Sequence, residues 1–224
     1  CLFTDSTTLK NCSAKAIVIS DSNISVKDLK LISNIASRLD IEDLIGNDIY
    51  INGNYNLLYL KNIEANDLVL KDLNSDYSPN ESKIEITNLN IKKLEIKGIS
   101  IYADIFFKSG IFENIFLIGQ FNNVVNIKDN VKVDNLFFES STFNDRIDIR
   151  GGDFEYFYFY RSIFKKLVYV NSYDILSNSH NELAIKSLTI HANLFEENVS
   201  ISLIEIDSIN VSDNQFNKTL SLNN

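Results

Sequence analysis

Pairs of apolar residues separated by a single residue recur along this chain at a fixed interval, and that interval limits the folds open to it. The pairs Leu94/Ile96, Ile115/Leu117, Leu136/Phe138 and Phe157/Phe159 each follow the last by 21 residues. After an interruption the series resumes at Leu188/Ile190 and Ile209/Val211, again 21 apart. A second series interleaves with it: Ile84/Ile86, Ile105/Phe107, Val125/Ile127, Ile147/Ile149, Val168/Val170, Val199/Ile201 and Leu220/Leu222. Val125 arrives one residue early. Self-similarity at such a period marks stacked supersecondary units.

Apolar–any–apolar spacing is the two-residue period of a strand, not the 3.6-residue period of a helix. Enrichment in Ile, Val, Phe and Tyr agrees. Strands of about three residues do not stand alone, but stacked coil on coil they pair in parallel and bury one continuous core. The expected fold is therefore all-β, a right-handed parallel β-solenoid. Counted from Leu31 to Leu222 it has about nine coils of roughly 21 residues. At about 4.8 Å per coil the rod is roughly 40–45 Å long.

The first third of the chain carries the beat more loosely, at Leu29/Leu31, Leu39/Ile41, Ile49/Ile51, Leu58/Leu60 and Leu68/Leu70. Leu29, Ile32, Ile35 and Leu39 also fit a short helical stripe, but they keep the coil register, which is preferred. The organisation expected is a lead-in over 1–16 and one solenoid domain over 17–224. Two polar interruptions, 71–83 (with the only Pro) and 171–187, read as loops bulging from the stack. Loops on a repeat scaffold commonly carry function.

Large residues recur every five or six positions, as at Phe138, Phe143, Ile149, Phe154, Phe159 and Phe164. Small or polar residues stand two before several of them: Ser141/Phe143, Gly152/Phe154, Ser162/Phe164, Asn193/Phe195 and Asn214/Phe216. This pattern resembles the pentapeptide-repeat proteins, which are four-sided right-handed β-helices. The strings LTIHANLF and INVSDNQF also resemble coils of pectate-lyase-type β-helices. That resemblance implies a structural ladder along the stack, with Asn193 and Asn214 at its turns and Ser141 and Ser162 at equivalent places. Asn tolerates the left-handed backbone such turns need. A leucine-rich repeat fits Ile185, Leu188, Ile190, Asn193 and Phe195, but the second half of that repeat reads as a strand rather than a helix.

Net charge is −9, with a pI near 4.7. This disfavours direct nucleic-acid binding, which needs a cationic footprint. Abundant Asn, Ile, Lys and Ser suggest a microbial, AT-rich source. No apolar run is long enough to span a membrane. The chain starts at Cys1 and contains no Met, which suggests a processed or excised product. One reading is a bacterial lipoprotein, anchored through Cys1 and placed outside the cell or on its surface. Cys1 and Cys12, the only cysteines, are otherwise close enough for a disulfide in an oxidising compartment. There is no CxxC, no Cys/His cluster and no Gly-rich phosphate loop, so neither metal nor cofactor is expected.

The strand register sorts inward from outward positions. Asp148 points outward between Ile147 and Ile149, and its neighbours one coil away are Asn126 and Tyr169. No stacked acid pair suited to glycoside chemistry results, and Asp145, Asp148 and Asp153 read as a solvated face with ion pairs. His180 and His191 are isolated from any convincing triad motif. The outward residues of the first series are Glu95, Phe116, Phe137, Tyr158, Thr189 and Asn210. Phe116, Phe137 and Tyr158 should stack on one face, flanked by Tyr156, Tyr160 and Arg161. Contiguous exposed aromatic surface points to a partner, although a ladder that only stabilises the sheet gives the same pattern. Three functions follow in order. The first is a non-catalytic secreted or surface scaffold binding a protein or glycan along these aromatics. The second is a carbohydrate-active β-helix enzyme. The third, implied by the pentapeptide resemblance and the acidic charge, is a DNA-mimicking inhibitor. The stack also has an apolar end at Leu222, which makes an end-to-end homo-oligomer a further expectation.

Overall fold

A computed structural model describes residues 6–73, 82–171, 173–174, 179–180, 183–202 and 205–223. Among them every regular element is a strand, and the strands stack as a parallel β-solenoid of about nine turns of about 21 residues. The two sequence series become two columns. Leu94, Ile115, Leu136, Phe157, Leu188 and Ile209 are successive partners in one. Ile84, Ile105, Val125, Ile147, Val168, Val199 and Leu220 are successive partners in the other.

The core follows from the spacing. In one coil the pairs Ile147/Ile149, Gly152/Phe154, Phe157/Phe159 and Ser162/Phe164 are all buried. Residues at equal positions lie one strand spacing apart, so like stacks on like. Phe121, Phe143, Phe164, Phe195 and Phe216 form a spine with ring centroids 4.8, 5.1, 4.8 and 4.9 Å apart. Each fully buried phenylalanine contributes about 1.5–3 kcal/mol of hydrophobic stabilisation. No single coil could bury these rings by itself.

The early arrival of Val125 has a local cause. The register slips between Gly98 and Ile101, where the earlier coil carries one residue more than its partner coil at Gly119 and Phe121. Ile99, inside that slip, is 87% exposed. One chain looped out by a residue is a β-bulge, and its side chain leaves the core. A second shift, between Phe107 and Ser109, restores the phase.

Three boundaries differ from those read in the sequence. Thr7–Lys10 already pairs with Leu29–Ile32, so stacking starts inside the expected 1–16 lead-in. That strand is short and mostly polar, and its partners alone reveal it. Lys71 and Lys83 lie in strands, which narrows the first interruption. In the second, Leu183–His191 pairs with Gly152–Tyr160, and Tyr173–Asp174 pairs antiparallel with Ser179–His180. Part of each interruption lies outside the described residues, as does Cys1. The coil register over 26–39 holds within the extended run Ser13–Lys71.

Candidate functional site

Two features run along the outside and corners of the stack: a hydrogen-bonded ladder and an aromatic band. The ladder begins with the backbone. Ser140, Arg161, Ala192 and Asp213 take left-handed conformations with φ of 50, 50, 56 and 57°. Each turns the chain inward and drives the next residue, Ser141, Ser162, Asn193 or Asn214, toward the core. The backbone N–H of Gly119 donates to Ser141 Oγ at 2.9 Å, and that of Ser141 to Ser162 Oγ at 3.2 Å. The N–H of Ser162 donates to Asn193 Oδ1, and that of Asn193 to Asn214 Oδ1, both at 2.9 Å. The same four side chains donate to the carbonyls of Leu117, Phe138, Phe159 and Ile190. These residues satisfy buried backbone groups that the corner takes out of the strand ladder.

The ladder reappears at the other end through a residue the sequence reading did not select. Asn34 is fully buried, accepts the N–H of Cys12 at 2.8 Å and donates to Leu9 O at 3.0 Å. Its signal was present. Asn34 follows Leu31 by three residues, as Asn193 follows Ile190 and Ser162 follows Phe159. Gly53 holds the next slot, and a Cβ there would lie 2.3 Å from Asn34 O and 3.0 Å from the Tyr55 hydroxyl. Burial pushes the Tyr55 phenol above its ordinary pKa. Cys12 is a half-buried thiol at the head of this ladder, its Sγ 3.6 Å from Lys10 O.

The aromatic band lies on the outward side of the first column. Phe116, Phe137 and Tyr158 stack with centroids 4.6 and 4.8 Å apart and planes within 5°. Lys93 caps Phe116, its Nζ 5.7 Å from the ring centroid. Tyr156 stands beside Tyr158 on the same strand, 6.3 Å away at 14°. Tyr160 stacks on His191 of the next coil at 5.3 Å, and the Arg161 guanidinium lies 4.8 Å over it. Phe116, Phe137, Tyr158 and Tyr156 form one stacked group, while Tyr160 and Arg161 form a second with His191. The ladder rings are only half-buried, and Tyr156 is 41% exposed. Burial, and then the neighbouring Tyr156, raise the Tyr158 phenol. Because Phe116 and Phe137 lie face to face with their neighbours, they present ring edges outward. Their π-faces are already occupied.

The acidic group near Asp148 differs from the expected solvated face. Asp148 is only 3% exposed. Its two oxygens accept from Arg150 Nε and Nη2 at 2.7 and 2.8 Å, and Arg150 also lies 5.7 Å from the Tyr169 ring centroid. A two-residue spacing on one strand puts acid and base side by side on one face. A long Arg side chain then folds over the shorter Asp and excludes water. Asn126, its partner one coil back, is also buried, and its Oδ1 meets no donor. Asp145 Oδ1 accepts the Arg146 N–H, and Asp153 is exposed.

His191 has a serine neighbour that its sequence surroundings did not reveal. Its Nδ1 lies 2.8 Å from Ser212 Oγ and 3.4 Å from Asp213 Oδ2. Both partners address the same ring nitrogen. A serine–histidine–acid relay needs the serine and the carboxylate on opposite nitrogens, so this is a polar corner and not a triad. Among the described residues no group of three His, Cys, Asp or Glu side chains is placed to hold a metal ion, and no helix is long and apolar enough to cross a membrane.

Fold and face together define a parallel β-solenoid with a stacked aromatic band on one side. Comparison with protein-family models, with curated proteins and with solved structures returned no match.

Proposed function

We propose that this chain is a non-catalytic interaction scaffold, secreted or displayed at a cell surface, that docks a protein or glycan along the aromatic band. The stacked group Phe116, Phe137, Tyr158 and Tyr156, with Tyr160 and Arg161 at the end of the same strand run, carries this reading. Aromatic and Arg side chains are enriched where interfaces bury most energy. The rod holds its strands rigid, so little ordering accompanies binding. On the outward side of the second column, commitment of Asp148 to Arg150 leaves that carboxylate without a free role in acid–base catalysis.

The four buried pairs of the coil Ile147–Phe164 favour a four-sided, pentapeptide-like coil, while the Asn ladder is the feature shared with the pectate-lyase-like reading. Replacing Phe137 and Tyr158 together by Ser tests the proposal. Glycan-array binding and pull-down with a purified partner should fall at least tenfold while the β-sheet circular dichroism is unchanged. Unfolding of the double variant would make the band structural, and unchanged binding would place the partner elsewhere.

A further inference from the structure

The aromatic band stops abruptly, and the place where it stops differs chemically from the rest. Going up the stack, Tyr158 is in register with Thr189, and Thr189 with Asn210. Tyr156 is in register with Ser187, and Ser187 with Ser208. Only the third column, Tyr160, continues with a ring, His191, followed by Ser212. Two tall rings are therefore followed by two tiers of short polar side chains.

This drop uncovers what the rest of the band hides. Phe116 has one ring face against Lys93 and the other against Phe137, while Phe137 is covered on both faces by rings. Tyr158 has Phe137 on its lower face and, among the described residues, Thr189 in register above it, with a side chain far shorter than a tyrosine ring. Tyr156 likewise faces Ser187. The two tyrosine rings lie within 14° of parallel with centroids 6.3 Å apart. They form an aromatic wall rising over a floor of Ser187, Thr189, Ser208 and Asn210. The floor is hydrogen-bonding surface: Ser208 donates to Ser187 at 2.9 Å, and Thr189 and Asn210 stand beside them. His191, held by Ser212, closes one side. Lys186, paired with Glu155, closes the other.

We infer that this step is a sugar-binding shelf, resting on the reading of the band as a docking face and naming the ligand class at its upper end. A pyranose has one face of C–H groups and a rim of hydroxyls. The C–H face packs on exposed aromatic faces, and the rim pairs with hydroxyl, amide and imidazole groups. Charge beside the shelf is mixed, with the Arg161 guanidinium over Tyr160 on the His191 side. Lys186 is already paired with Glu155, and Asp213 adds a carboxylate beside His191.

The test uses the intact chain and soluble tetra- to hexasaccharides of glucan, xylan, galactan and mannan. Binding is read by calorimetry and by tyrosine fluorescence, since the chain contains no Trp. A neutral oligosaccharide is expected to bind saturably. Thr189→Tyr continues the ladder by one ring and covers the free face of Tyr158, so it should weaken sugar binding at least tenfold. Ile99→Ser, at the exposed bulge and outside the band, should change it less than twofold. Binding of no neutral sugar, or binding indifferent to Thr189→Tyr in a folded variant, overturns the shelf. Docking of a protein partner that survives Thr189→Tyr but not the Phe137/Tyr158 double replacement leaves the band reading standing without the shelf. Loss of neither under any of these changes removes both.

Discussion

Asn193 joins three coils: its side-chain oxygen accepts the backbone N–H of Ser162 at 2.9 Å, while its amide nitrogen donates to Phe159 O at 2.8 Å and to Asn214 Oδ1 at 3.0 Å. The residue is 3% exposed, so no solvent replaces these bonds when the side chain is removed.

Asn193→Ala should therefore destabilise the protein by about 2–4 kcal/mol, since it strands a buried donor and a buried acceptor at once. Asn193→Ser should recover part of that loss, because Ser141 and Ser162 fill equivalent places with a hydroxyl. Urea unfolding followed by circular dichroism measures both. Equal midpoints for the Ala variant and the wild type would show that the ladder adds nothing.

Glycine substitutions should separate strained corners from ordinary ones. Gly119 has φ of 128°, and a Cβ there would meet Gly98 O at 1.9 Å. Gly46 has open space to 3.4 Å, at side-chain atoms of Ile49 and Val26. Gly119→Ala should fail to fold or lose more than about 3 kcal/mol, combining backbone strain and a clash with backbone. Gly46→Ala should change stability by less than about 1 kcal/mol. Soluble yield and thermal midpoints decide the comparison.

The two phenylalanine stacks should respond differently to truncation. Phe143 belongs to the buried spine and touches Phe121, Phe138 and Phe164. Phe143→Ala should cost about 3–5 kcal/mol through lost burial and the cavity left behind. Phe137 stacks on the outside, and Phe137→Ala should cost only about 1 kcal/mol. Comparable losses at the two sites, measured by denaturant midpoints, would mean that the outer band is sealed rather than available to a partner.

Acid should weaken the fold through Glu85. Burial pushes its carboxyl up, but hydrogen bonds from Lys108 (2.6 Å) and Lys83 outweigh that, and the net pKa is below the ordinary glutamate value. A carboxyl with a lowered folded-state pKa adds stability above its unfolded pKa, and that stability drains away as pH falls through the folded value. Glu85→Gln should be less stable than wild type near neutral pH by up to about 1 kcal/mol. The gap should close below the ordinary glutamate range. A urea midpoint series across pH checks the closing gap.

Much of the stack was readable from the chain. The 21-residue beat fixed strands over helix, the inward columns and the outward trio Phe116, Phe137 and Tyr158, because in a strand alternate residues must face opposite ways. The ladder residues Ser141, Ser162, Asn193 and Asn214 were legible through their constant offset from the apolar pairs. Asn34 escaped because the coils around it are of unequal length, so its offset stood out only beside its partners. The tight cover of Arg150 over Asp148 also escaped. Register says which face a side chain leaves from, not whether a neighbour folds over it.

Sequence by itself thus determined the repeat, its strand character and which residues share a face, since periodicity is a property of one chain read in order. Only the tertiary structure decided how those faces are finished. It looped Ile99 out to absorb a phase slip, set Ser212 against His191, and closed the ring faces of Phe116 and Phe137 while leaving those of Tyr156 and Tyr158 above a floor of small polar residues. Each depends on what stands one coil away, at a separation set by insertion lengths, and the size difference between stacked neighbours has no trace in either coil read alone.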